Sequence, residues 1–240
     1  MAYLERGDVT IWYEEYGSGY PLLLFAPGSL LSTIDCWHTD PPSPYDPIKE
    51  LAADFRLIAM DQRNAGRSRA PIRAGDGWQS YAEDHLALMD HLHVERAVAL
   101  GACIGVSFIL RIFQDAPERL VAGVLQQPIG REPGGDPWTT RQVDGLVETL
   151  PADRRPSREV VESFARNLYE QDFVYNVSRE FVRGCVKPML VLPGNDKAHP
   201  YAVAREIAEL APNAELVDGW RDDLPGAIGR VRSFLQAHAR

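Results

Sequence analysis

Two glycines bracket a cysteine in Gly101-Ala102-Cys103-Ile104-Gly105. The apolar run AVAL before it reads as a strand, and VSFILRIF after it reads as a helix. A nucleophile on such a strand–turn–helix corner sits in a strained backbone, exposed above the sheet. The residues two before and two after it must be small, because strand and helix nearly touch there. The N–H of Ile104 then points at a developing oxyanion, and the helix start favours a thiolate. The chemistry that follows is attack on a carbonyl carbon. The alternative for Cys103 is a buried packing thiol, since free cysteine is among the most buried residue types. Its corner position outweighs that alternative. Cys36 and Cys185 have no such context and read as packing residues.

The elements that must position this corner are legible along the chain. Val9 to Gly17 has strand composition and ends in a Gly-Ser-Gly turn. Pro21 to Ala26 is short and continuously apolar, as suits a strand covered on both faces, and it ends at Pro27-Gly28. A proline-rich loop from Asp40 to Pro44 leads to a short helix, IKELAADF, and a strand from Arg56 to Asp61. From Ser80 a helix is expected, with Ser80 and Glu83 as a capping box. After the corner, VAGVLQQP, PMLVLPG (Pro188 to Gly194) and AELVDGW read as strands, and AVAREIAELAP and PGAIGRVRSFLQAHA as helices. The alternation predicts an α/β fold: a doubly wound, mostly parallel sheet with its active residues at the carboxyl ends of the strands. Only residues 131–185, rich in proline and glycine, break the pattern. They read as an insertion, leaving 1–130 and 186–240 as the core.

Composition narrows the function classes. The 240 residues suit one large domain with a small insertion, and 45% hydrophobic with 25% charged residues is ordinary for a globular protein. A formal net charge of -9 disfavours nucleic acid as a partner. No apolar run is long enough to span a bilayer, and the charged N-terminus lacks a signal sequence. Three cysteines are not a disulfide framework. A cytoplasmic protein acting on a small molecule is expected, and the acidic surface is compatible with a homodimer. There is no metal-ligand cluster and no phosphate-binding glycine loop, so neither metal nor organic cofactor is expected.

The chain resembles the α/β-hydrolase superfamily over nearly its whole length. Its cysteine corner is similar to that family's nucleophile elbow, where serine is usual and cysteine a minority, as in dienelactone hydrolases. Asp61-Gln62-Arg63-Asn64-Ala65-Gly66-Arg67-Ser68 resembles the family loop D-x-R-G-x-G-x-S, with Asn64 where glycine is usual. Pro27-Gly28-Ser29 resembles the oxyanion loop, which implies the N–H of Ser29 as the donor that joins Ile104. The resemblance also implies a cap at residues 131–185, over the pocket, and an acid after the PMLVLPG strand. Asp196, with Pro200 four residues later, fits that acid, although it stands one residue nearer Gly194 than usual. Its alternative is a turn-capping aspartate.

The resemblance fails at the base. The stretch after the last strand, Val217 to Asp223, holds no histidine, and Trp220 or its neighbours occupy that place. His238 falls near the end of the terminal helix. His85, His91 and His93 read as surface or packing residues. His38, Gly28 and Trp220 are candidates for the pocket border. His199, three residues after Asp196 and on the same rim as the elbow, is the candidate base, against a structural or substrate-contact role. A thiol tolerates a displaced base better than a hydroxyl does, because it is partly ionised near neutrality. In the insertion, Trp138, Phe164, Tyr169, Phe173, Tyr175 and Phe181 suit the cap's own small core, against a pocket lining, and Arg131 and Arg179 read as solvated, against contact with an acidic group. Together these features imply hydrolysis of a small ester, lactone or thioester through Cys103, Asp196 and His199. The competing expectation is a non-hydrolytic protein of the same fold, a small-ligand binder or lyase-like enzyme, in which Cys103 only lines the pocket.

Overall fold

The computed structural model describes residues 1–38, 43–131 and 141–240. Its centre is an eight-stranded sheet in the order β1-β2-β4-β3-β5-β6-β7-β8. The strands are β1 (Ala2–Arg6), β2 (Val9–Tyr16), β3 (Tyr20–Phe25), β4 (Phe55–Met60), β5 (Ala97–Ala102), β6 (Leu120–Gln126), β7 (Met189–Leu192) and β8 (Ala214–Leu216). β2 pairs antiparallel with β1 and with β4, and every other pairing is parallel. The helices are α1 (Pro47–Leu51), α2 (Trp78–His91), α3 (Ile104–Asp115), α4 (Arg141–Thr149), α5 (Arg158–Tyr169), α6 (Arg179–Gly184), α7 (Tyr201–Leu210) and α8 (Leu224–His238).

The continuous apolar runs have their explanation in the two faces of the sheet. On β5, Ala97 and Ala99 face one core with Met89 of α2, Phe108 of α3 and Ile207 of α7. Val98 and Leu100 face the other, with Leu51 of α1 and Val231 of α8. Both faces are covered, so no position on the strand is left for a polar residue.

Several boundaries differ from the sequence expectation: the last strand, read as AELVDGW, ends at Leu216, so Trp220 falls in the turn after it. β1 was not foreseen; it forms a hairpin with β2 through Gly7, at φ 62. α2 begins at Trp78 rather than after Ser80. Ser80 therefore sits inside the first turn, where its hydroxyl accepts from the Gly77 N–H at 3.4 Å and donates to Asp76 at 3.1 Å. α1 is shorter than expected because Phe55 already belongs to β4; its start is fixed by Asp46, which accepts from the N–H groups of Ile48 and Lys49.

Between β6 and β7 lie α4, α5 and α6. α4 packs on the short turn Ser29–Leu31, just beyond the carboxyl end of β3. α5 is tied to α2 by the Trp78 indole N–H, which donates to the Leu168 carbonyl at 2.7 Å. Phe164, Tyr169, Phe173 and Tyr175 are buried in the core that these helices share with α2 and α3, and Phe181 is half-buried against it. Trp138 lies outside the described residues. Arg179 is not simply solvated: it pairs with Glu206 and Asp172 and stacks 4.8 Å from the Phe173 ring centroid. Arg131 is held by a backbone bridge to Phe173, and its side chain donates to the Glu170 carbonyl at 3.2 Å. No helix among the described residues is long and apolar enough to cross a membrane.

Candidate active site

Cys103 is the single residue between β5 and α3, with φ 57 and ψ -120. A side chain other than glycine's is strained there, and the strain persists because the surroundings fix it. The cause is the close approach of its neighbours. A Cβ on Gly101 would lie 2.7 Å from the Gly105 backbone, and a Cβ on Gly105 would collide with the Phe25 carbonyl. Only glycines allow β3, β5 and α3 to meet at this point, and that meeting lifts the thiol to the sheet's carboxyl edge.

The backbone amides of Gly28 and Ile104 lie close enough to the thiol to favour its ionised form. Gly28 directly precedes Ser29, whose N–H the family resemblance implies as an oxyanion donor. Gly28 has φ 119, and a Cβ on it would meet the Cys36 sulfur at 3.0 Å. Ser29 has φ 56, and its side chain lies beside the hydroxyl of Tyr169 from α5.

The loop from Pro193 to Pro200 brings the titratable partners. His199 Nδ1 lies 2.9 Å from each oxygen of Asp196. Asp196 also accepts the N–H groups of Ala198 at 2.8 Å and His199 at 3.0 Å, so the carboxylate folds its own loop. The opposite ring nitrogen, Nε2, is buried without a hydrogen bond, and the imidazole interacts electrostatically with the Cys103 thiol. Burial pushes the thiol up, but the His199 imidazolium and the two N–H groups outweigh it and hold Cys103 below an ordinary thiol. Burial pulls His199 down, but Cys103 and Asp196 outweigh it, and the imidazole is pushed up to about 9. Asp196 is held below the usual carboxylate range: burial opposes this, and the His199 hydrogen bond and charge prevail. The structure thus brings Cys103, His199 and Asp196 together, in the order thiol, imidazole, carboxylate.

Gly194 makes this loop possible, because a Cβ on it would collide with the side chain and backbone of His199. Gly194→Ala is expected to push the imidazole off the thiol and slow turnover roughly a hundredfold, since a displacement of about 1 Å suffices for that. Steady-state kinetics on a folded variant check it, and wild-type rates would show that His199 need not sit where it does.

Other candidates lie elsewhere. His38 pairs with Asp46 at 2.8 Å on the exposed start of α1. His85 is buried between Phe25 and Phe108, 3.1 Å from the Gln62 amide, and burial pushes it down to about 3. His91 meets the Tyr13 hydroxyl at 3.2 Å. Trp220 is buried in the core of the α1 and α8 face, and its N–H donates to the Pro193 carbonyl. Sequence reasoning missed this contact, since it depends on loop geometry that no residue type announces; Gly28, a pocket-border candidate from sequence, lies with its amide near the thiol.

The Asp61 loop is a scaffold for the β3 and β4 ends. Its carboxylate accepts the Ile34 N–H at 2.9 Å and the Arg67 backbone N–H at 3.0 Å, and pairs with the Arg67 guanidinium at 2.7 Å. Asn64, in the place of the usual glycine, has φ 62. Asparagine tolerates that conformation, and its Oδ1 accepts the Ala70 N–H at 2.9 Å.

Known proteins extend the comparison. Residues 21–183 match the family described as alpha/beta hydrolase fold. The chain is 32% identical over 123 residues to rhodomycin D methylesterase DauP of Streptomyces sp. (strain C5), covering 49% of this chain and 39% of that one. It is 30% identical over 120 residues to the putative carbamate hydrolase RutD of Azorhizobium caulinodans, covering 50% and 42%. The chain thus spans less than half the length of these curated relatives. Among solved structures it resembles the enol-lactonase from Burkholderia xenovorans LB400, with a TM-score of 0.70 at 19% identity over 98% of this chain and 100% of the other. With the elbow, the sheet order and the family match in agreement, the chain belongs to the α/β-hydrolase fold family.

Proposed function

We propose that the protein hydrolyses a small ester, lactone or thioester by acyl transfer to Cys103. The observation that carries this reading is the coupling of the elbow thiol to an imidazole whose other nitrogen is held by Asp196. At neutral pH this coupling favours a thiolate beside an imidazolium. The thiolate attacks the carbonyl carbon, and the carbonyl π electrons move to oxygen. The Ile104 N–H, joined by the Gly28–Ser29 turn, stabilises that charge. On collapse of the adduct the carbon–heteroatom bond breaks, and His199 gives its proton to the leaving group. The neutral imidazole then takes a proton from water, whose oxygen attacks the thioester and regenerates the thiol. Asp196 keeps the proton on Nδ1, so that Nε2 is the atom that exchanges protons.

Esterase and carbamate hydrolase relatives support the substrate class, as does the likeness in fold to an enol-lactonase. Residues 131–185 act as the cap in this reading. The reaction needs no metal or cofactor, and a cytoplasmic setting with a small-molecule partner suits the acidic chain. Mass spectrometry during turnover of an aryl acetate tests the proposal. An acetyl adduct on the Cys103 peptide, absent in Cys103→Ala, is the expected result. No adduct and no turnover across esters, lactones and thioesters would favour a binding protein instead.

A further inference from the structure

The loop that carries His199 leaves β7 at Pro193 and enters α7 at Tyr201, and the turn after β8 holds both of its ends. Trp220, 3% exposed, donates its indole N–H to the Pro193 carbonyl at 2.8 Å. Arg221 donates to the same oxygen at 3.0 Å, and its guanidinium stacks 4.4 Å from the centroid of the Trp220 ring. At the far end the Tyr201 hydroxyl donates to Asp218 at 2.9 Å. Pro193 lies just beyond the end of β7, where its carbonyl needs a partner outside the sheet. Two donors on one oxygen fix the peptide plane from which Gly194 departs. Gly194 in turn abuts His199 with no room for a methyl group, so a shift at Pro193 carries through to the imidazole.

We propose that Trp220 and Arg221 are positioning residues: by holding the Pro193 carbonyl they set the approach of His199 to Cys103, without touching the reacting atoms. This inference rests on the reading of His199 as the group that governs Cys103. The charged groups around the imidazole are the Cys103 thiolate and the Asp196 carboxylate, and the Arg221 guanidinium lies within electrostatic reach of Asp196. Arg221 thus carries both a geometric and an electrostatic influence, whereas Trp220 is neutral and acts through geometry alone.

The test is the rate of Cys103 alkylation by iodoacetamide as a function of pH, followed by mass spectrometry of the Cys103 peptide. It is run on wild type, Trp220→Phe, Arg221→Ala and His199→Ala. About 1 M salt shortens the Debye length to about 3 Å, so the exposed Arg221 charge is screened and its hydrogen bond is what the variant reads. Both variants are expected to titrate above wild type, towards His199→Ala. A midpoint about one pH unit higher leaves roughly a tenth of the thiolate at pH values well below both midpoints, so alkylation there slows roughly tenfold. Arg221→Ala changes an exposed residue and keeps the test alive if Trp220→Phe does not fold. Wild-type titration in the folded variants, with His199→Ala displaced, would overturn the positioning role alone. If His199→Ala itself titrates as wild type does, the reading of His199 falls and the inference falls with it.

Discussion

Alanine in place of His199 is expected to slow turnover of an aryl ester by roughly 10²- to 10⁴-fold, the usual contribution of a placed acid–base group. The pH dependence identifies the cause. On the proposed mechanism the reactive state of the wild type is a thiolate beside an imidazolium. It forms as pH rises through the lowered value of Cys103 and is lost as pH rises through the raised value of His199, about 9. Above that pH the thiolate remains, but the proton for the leaving group has gone, so kcat/KM falls. His199→Ala removes both influences. Its rising limb should move up towards that of an ordinary thiol, near about 8.5, and the falling limb near 9 should vanish. The two groups titrate as a coupled pair, so the apparent values belong to the pair and the disappearance of a limb is the informative change. A profile of kcat/KM against pH checks this. If the variant kept both limbs of the wild-type profile, some other group would be the acid and base.

Asp196→Asn should act through the same histidine by a different route. The amide can still accept from Nδ1, but its charge no longer favours the imidazolium, and either ring tautomer is then accommodated. The falling limb should therefore move below about 9, because the Asp196 charge is one of the forces that raise His199.

What the sequence disclosed about this site follows from how each feature is encoded. The elbow was legible because its constraint is steric: Gly101 and Gly105 are there because a methyl group on either would meet backbone. The two-faced sheet was legible from apolar runs such as that of β5, whose residues divide between the two cores. His199 was legible as a position on the rim, but the aim of its ring was not. That aim depends on Asp196 turning the loop back on itself and on Gly194 admitting the imidazole, which are relations between atoms rather than a motif. The β3 loop shows the same limit: the φ of 119 at Gly28 and the nearness of its amide to the thiol are loop geometry, not a motif. Trp220 was legible only as a departure from a pattern. Its hydrogen bond runs between residues 27 positions apart that meet through the pairing of β7 with β8. β1 escaped notice because a five-residue edge strand carries only one buried side chain, Leu4, and so has almost no alternation to detect.

The largest loss of stability is expected from Asp84→Ala. Asp84 is fully buried on α2 and accepts two hydrogen bonds from the buried Arg63 guanidinium, at 2.7 and 3.0 Å. It also accepts from Arg6 at 2.8 Å. Arg63 belongs to the loop between β4 and α2, and it also meets the Ser80 carbonyl at 2.9 Å, Asp76 at 3.7 Å and the Tyr81 ring, 5.5 Å from its centroid. Taking either charge out of water is unfavourable, and each is tolerated because the other is there. Removing the carboxylate leaves a guanidinium, always protonated, with most of its compensation gone. Arginine cannot escape by losing its proton, so the structure must admit water or expel the side chain. The expected destabilisation is about 3–5 kcal/mol, a large share of the roughly 5–15 kcal/mol that holds a domain together. Because Arg63 anchors the loop that also carries Asp61, and Asp61 holds the Ile34 N–H in the segment after the β3 corner, catalysis should weaken along with stability. Urea denaturation of the single variants and of the paired variant Arg63→Met with Asp84→Leu separates the two contributions. Each single change should be severe and the pair far milder, because two apolar side chains leave no buried charge behind. Equal losses in the single and paired variants would mean that packing at α2, rather than an uncompensated charge, sets the penalty.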